Sequence, residues 1–160
     1  MLIGVLADSH DHLDHLQAAV ESLDRRGVQA VLHAGDFVAP FTIPVLAKLA
    51  VPVHGVFGNN DGERLGLMSR WGDMGTLAER PNELELQGHK ILLEHEPVAL
   101  EALAAGFYDL VVYGHTHRLD IREGPTLIVN PGEVCGWLTR RPTAAVIDLA
   151  NKTVEVIDLA

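Results

Sequence analysis

The chain has one cysteine, Cys135. An internal disulfide and a thiolate-based zinc site are therefore excluded, and the residue reads as a small buried apolar side chain. Aromatic residues are scarce: two tryptophans and two tyrosines stand against nine histidines. That much imidazole calls for chemistry that packing alone does not require. No apolar run approaches the roughly 20 residues that cross a bilayer. The leading run Leu2–Ala7 is too short for a signal-peptide core and lacks a basic flank, so a cytoplasmic protein without membrane attachment is expected. Positive charge is also short, and the formal net charge is −10. A broad basic face for duplex nucleic acid is excluded, because such binding neutralises many phosphates. A phosphate-bearing substrate is not, since bound cations can invert a local potential.

With 160 residues, 48% of them apolar, the chain is long enough for one globular domain over residues 1–160. Leu2–Ala7 reads as a buried strand and residues 12–26 as a helix, with Leu13, Leu16, Ala19, Val20 and Leu23 on one stripe and Gly27 closing it. Ala30–Ala34 is a second strand, residues 43–50 a second helix, and Val51–Val56 a third strand. This alternation predicts βαβ units and a parallel sheet. Residues 63–80 read as a short helix and loop, Glu83–Leu86 and Lys90–Leu93 as a hairpin, and residues 97–105 as a short helix before a strand at 109–113. The last third reads as antiparallel strands at 119–122, 126–129, 144–149 and 153–159.

Polar residues with ligating atoms fall at the ends of these runs. Asp8 and His10 follow the first strand, Asp36 the second and Asn59 the third; His95 follows 90–93, and His115 and His117 follow 109–113. In an extended segment residues i and i+2 point the same way, so His115 and His117 can converge. Taken singly, these are turn residues, helix caps or surface histidines. Five strand ends that each finish in such a residue point instead to a shared centre at the carboxyl edge of an α/β sheet.

The ordered set Asp8-x-His10, Gly35-Asp36, Gly58-Asn59-x-Asp61, His95 and Gly114-His115-x-His117 resembles the calcineurin-like metallophosphoesterases. Val129-Asn130-Pro131-Gly132 and the short length resemble the small prokaryotic YfcE-type phosphodiesterase branch. The resemblance implies an α/β fold of two packed mixed sheets flanked by helices. It implies that Asp8, His10 and His117 hold one metal, that Asn59, His95 and His115 hold the other, and that Asp36 bridges them. These seven would be the catalytic set, with Asn60, Asp61 and His12 as candidate substrate contacts. The donor mixture suits two divalent transition ions, manganese first, with iron, zinc or nickel as substitutes, over calcium or magnesium. The implied reaction is hydrolysis of a small phosphodiester by a metal-activated water attacking in line. A phosphomonoesterase using the same site, or a non-catalytic scaffold of the same fold, is the alternative; the intact ligand set favours an enzyme. A homo-oligomer is compatible with the sequence.

Three positions depart from the family pattern. Asn60 stands where relatives carry a general-acid histidine, and Ala39 where they place its acidic partner. His95-Glu96-Pro97 replaces His-Gly-His, which puts the backbone geometry around His95 in question. Without a positioned acid, turnover should favour activated aryl diesters, unless Asp61 or a metal-bound water supplies the proton. Outside this set, His33 and His54 read as hydrogen-bonded strand histidines, His15 as part of a solvated helix face, and Arg118, Arg140 and Arg141 as surface charges or phosphate contacts. Met68, Trp71 and Met74 read as core.

Overall fold

The computed structural model describes residues 1–160. In chain order its elements are β1 (Leu2–Leu6), α1 (Leu13–Arg25), β2 (Ala30–His33), a 3-10 turn (Pro40–Thr42), α2 (Ile43–Leu46), β3 (Val53–Val56), α3 (Arg64–Trp71) and β4 (Leu77–Ala78). There follow β5 (Asn82–Leu86), β6 (His89–Leu93), α4 (Leu100–Leu103), β7 (Leu110–Val112), β8 (Leu119–Arg122), β9 (Leu127–Pro131), β10 (Thr143–Asp148) and β11 (Thr153–Asp158). One sheet runs β11-β10-β1-β2-β3-β4 and the other β5-β6-β7-β9-β8. Strands β1 to β4 are parallel, as are β6, β7 and β9, while β10, β11, β5 and β8 pair antiparallel, so both sheets are mixed. This is a two-sheet α/β sandwich, as the sequence leads us to expect.

Strand alternation explains the layers. Ile3, Val5, Leu32, Ile91, Leu93, Leu110, Val112, Leu127 and Val129 point inward and form the interior between the sheets. Their neighbours on the other face of the first sheet, Leu6, Val31 and Val53, pack against Leu16, Val20 and Leu23 of α1 and Leu46 of α2. On the outer face of the second sheet, Leu92, Val111 and Ile128 meet Leu100 and Tyr108. Strands covered on both faces read as continuous apolar runs, which is why the sequence shows no alternation there.

Several expected elements differ. The second helix collapses to a 3-10 turn and one α turn; Lys48 and Leu49 donate to carbonyls three residues back, which tightens and ends it. β3 begins at Val53 because Pro52 has no N–H to give a ladder, and its carbonyl instead accepts from Val31. The helix expected over 97–105 shrinks to Leu100–Leu103. In the last third, β9 does not pair only antiparallel: it joins β7 in parallel, a long-range choice with no local signal. Helix α1 is capped by the His12 ring, which accepts from the His15 N–H, and not by Asp8, Ser9 or Asp11. No helix is long and apolar enough to cross a membrane.

Candidate metal centre

The seven ligand candidates meet on the seam between the sheets. Asp8, His10, Asp36 and Asn59 lie just past β1, β2 and β3 of the first sheet; His95, His115 and His117 lie just past β6 and β7 of the second. Sharp corners turn each side chain inward. Asp8, His10, Asp36, His115 and His117 all adopt positive φ, between 41° and 66°, which costs an L residue on the order of 1 kcal/mol. Backbone bonds between the loops after β1 and β2 hold the corners, from Asp8 N to Gly35 O and from His10 N to Asp36 O, both 3.0 Å. Gly58 is required by close approach, because a Cβ there would overlap the Asp36 carboxylate.

The cluster divides into two groups. In one, His117 Nε2 lies 3.6 Å from Asp8 Oδ1, and the His10 and His117 rings stack at 5.1 Å. In the other, Asn59 Oδ1 lies 2.8 Å from His95 Nε2 and 2.9 Å from His115 Nδ1. Asp36 touches both: Oδ2 is 3.3 Å from His10 Nε2 and Oδ1 is 3.6 Å from His95 Nε2. Ligating atoms of Asp8, His10, Asp36 and His117 all lie within 4.8 Å of one another.

The protons show what this arrangement suits. His95 Nδ1 lies 2.7 Å from the Ala34 carbonyl, which can only accept, so the ring proton sits there. Nε2 is then a lone pair aimed at the Asn59 oxygen and the Asp36 carboxylate. His117 Nδ1 is likewise tied to Glu133 at 2.6 Å, leaving its Nε2 lone pair facing Asp8. His10 Nε2 is buried and makes no hydrogen bond. Lone pairs converging on lone pairs repel unless a cation lies among them. The donor set fits divalent metals.

Electrostatics agree. Burial, then repulsion from Asp36, pushes the Asp8 carboxyl up to about 8. Burial acts the same way on Asp36, but the Asn60 amide and backbone N–H, with His95 and His10, hold it below the usual carboxylate range. Burial lowers His10 and His95, keeping their imidazoles neutral and able to ligate. His33 is pushed down to about 3 by full burial; its ring accepts from Gly35 N–H and meets Ser9 Oγ at 3.1 Å, beneath the loops.

The candidate substrate contacts fare unevenly. Asn60 is exposed and donates to both Asp36 oxygens, at 2.8 Å each. Asp61 is 3% exposed and its oxygens accept from the N–H groups of Asp36, Val38 and Gly58. It staples the loops after β2 and β3 together. His12 is half-buried at the rim. The altered His95-Glu96-Pro97 segment leaves His95 in place: its carbonyl accepts from Gly114 N–H, and Glu96 turns away to Arg80 at 3.2 Å. Arg141 pairs with Asp158 and His54 bonds Thr76. Trp71 is core, while Met68 is exposed.

Sequence reading missed Glu133. This fully buried carboxylate accepts from His117 Nδ1–H, Leu138 N–H, Thr139 N–H and hydroxyl, and the Cys135 thiol. Burial opposes its charge, yet the donors hold it at about 2. The available signal was a carboxylate placed directly after Asn130-Pro131-Gly132. Asn130 itself donates to the Gly114 carbonyl and to Thr116 Oγ1, bracing the two-histidine loop. Burial pushes the Cys135 thiol up, so it is an inert neighbour.

A fold of this topology with a carboxylate–imidazole centre at the strand ends defines a class. The calcineurin-like phosphoesterase superfamily domain matches residues 1–152, and the chain belongs to that family. A phosphodiesterase of Methanocaldococcus jannaschii is 36% identical over 99% of both chains. The solved structure of an archaeal phosphodiesterase superposes at a TM-score of 0.91 and 35% identity, covering 99% of each chain. YfcE, a phosphoesterase from E. coli, shares the fold at a TM-score of 0.72 and 20% identity over 100% of each chain. The chain is a phosphodiesterase homologue with a metallophosphoesterase fold.

Proposed function

We propose that the chain is a single-domain, dinuclear metal-dependent phosphodiesterase of the cytoplasm. Asp8, His10 and His117 would hold one ion, Asn59, His95 and His115 the other, and Asp36 would bridge. The observation that supports this most directly is the position of Asp36, whose two oxygens face one histidine from each group, His10 at 3.3 Å and His95 at 3.6 Å. Divalent ions held there, manganese first, would supply Lewis acidity that makes water nucleophilic near neutral pH and positive charge against a phosphoryl group. The chain's own residues do the rest. Glu133 and the Ala34 carbonyl fix the tautomers of His117 and His95, so that each presents a bare Nε2. Asn60 and Asp61 orient the Asp36 carboxylate and its loop. No histidine stands at position 60 to protonate the departing alkoxide.

The test is metal content and turnover of bis(4-nitrophenyl) phosphate for the native chain and for Asp36→Asn. The native chain should bind two ions and turn over only with metal. The variant should lose one ion and two or more decades of kcat, as expected when several kcal/mol of charge stabilisation is removed. Metal-independent turnover, or none in either protein, overturns the proposal.

A further inference from the structure

The two tryptophans occupy opposite situations. Trp71 is 3% exposed in the core; Trp137 is 58% exposed, and Leu138 beside it 71%. A lone exposed apolar residue needs no explanation, but Trp137 is not alone. His12 and His15 stack on each other with ring centroids 3.7 Å apart and planes at 5°, and the His12 ring lies 5.2 Å from that of Trp137, tilted at 55° to it. The two imidazoles are held in place. His15 Nδ1 bonds the Cys135 carbonyl at 3.1 Å, and the His15 N–H bonds the His12 ring at 3.3 Å. The loop carrying Trp137 turns at Gly136, φ 68°, and is tied by Leu138 and Thr139 N–H to the buried Glu133 carboxylate. Both chain segments that carry the cluster also reach the metal centre. Cys135 Sγ lies within 4.8 Å of the His10 and His117 ligating atoms, and His12 follows His10 by two residues.

Resting on the phosphodiesterase reading above, we propose that Trp137, backed by His12 and His15, stacks the base of a nucleotide-type diester whose phosphorus sits at the metal centre. A rigid indole face at the rim offers a π surface that any base can cover, with little side-chain entropy to lose. An alkyl substituent offers no such face. The net charge of −10 disfavours a long polyanion, so the substrate is a mononucleotide ester or dinucleotide and not a polymer.

Two measurements on the manganese-loaded protein test this. The first is the ratio of kcat/KM for thymidine 5′-(4-nitrophenyl phosphate) to that for methyl 4-nitrophenyl phosphate, which share a leaving group. The native ratio should exceed one, fall roughly tenfold in Trp137→Ala and be largely kept in Trp137→Phe. The second is tryptophan emission titrated with thymidine 5′-monophosphate or ribose 5-phosphate. Only the former should quench, and Trp137→Phe should abolish the effect. An unchanged ratio in Trp137→Ala, or quenching that is absent or independent of the base, overturns the stacking proposal and leaves the enzyme reading intact. Failure of both esters to turn over with any metal overturns the enzyme reading, while the emission titration still decides whether a base binds at Trp137.

Discussion

The two halves of the centre are built from the same residue types but to different standards. The half with Asp8, His10 and His117 is buried or half-buried and carries its own carboxylate, and its deepest imidazole is backed by the Glu133 charge. The half with Asn59, His95 and His115 has a neutral amide in place of that carboxylate. Two of its three side chains are exposed, and its one buried imidazole is backed by a carbonyl. Extra negative charge and a rigid surround raise cation affinity. The comparison teaches that ions bound as proposed should be held unequally, tightly on the Asp8 side and exchangeably on the Asn59 side.

The largest way to break this comparison is to remove the Asp8 carboxylate. Asp8→Ala should abolish the tight ion and lower kcat/KM by two to three decades, whereas Asn59→Ala should spare the tight ion; metal analysis after gel filtration separates them. Next is Glu133→Gln, which keeps the shape but not the charge behind His117. It should weaken one ion roughly 10- to 100-fold by calorimetric titration and leave the other near its native value; equal weakening of both would deny the asymmetry. A third test concerns the missing acid. Across aryl diesters of rising leaving-group pKa, log kcat should fall steeply, and Asn60→His should flatten the slope by restoring a proton donor.

A fourth test concerns stability. In the metal-free protein Asp8 keeps its proton to about 8, against an ordinary value of 3.8. Between those limits the folded chain binds a proton that the unfolded chain has released. Above about 6.5, where the buried His10, His33 and His95 are neutral folded or unfolded, stability should therefore fall as pH rises towards 8, and metal should remove that slope by holding the carboxylate ionised. Urea midpoints at about pH 7 and about pH 8, with and without chelator, read this directly.

The strand ends and all seven ligand candidates were legible because apolar runs and the residue just past each run are local facts. Pairing partners were not, and so β9 beside β7 came only from the structure. Asp61 looked available because it sits in a Gly/Asn-rich turn; its burial depends on N–H groups some 25 residues away, which no spacing reveals. Glu133 escaped for the same reason, since its partner His117 lies 16 residues back on another strand end. The helix over 43–50 was overcalled because apolar spacing says nothing of i−3 bonding that ends a helix early.

Because four of the seven side chains come from one sheet and three from the other, cations placed among them would act as rivets across a joint. Each sheet keeps its own ladder, so withdrawing the rivets should leave both slabs whole and let the joint breathe. Hydrogen exchange after chelation would then quicken at Gly35, Asp36 and Gly114, where the slabs meet, before it touched β1 or β7.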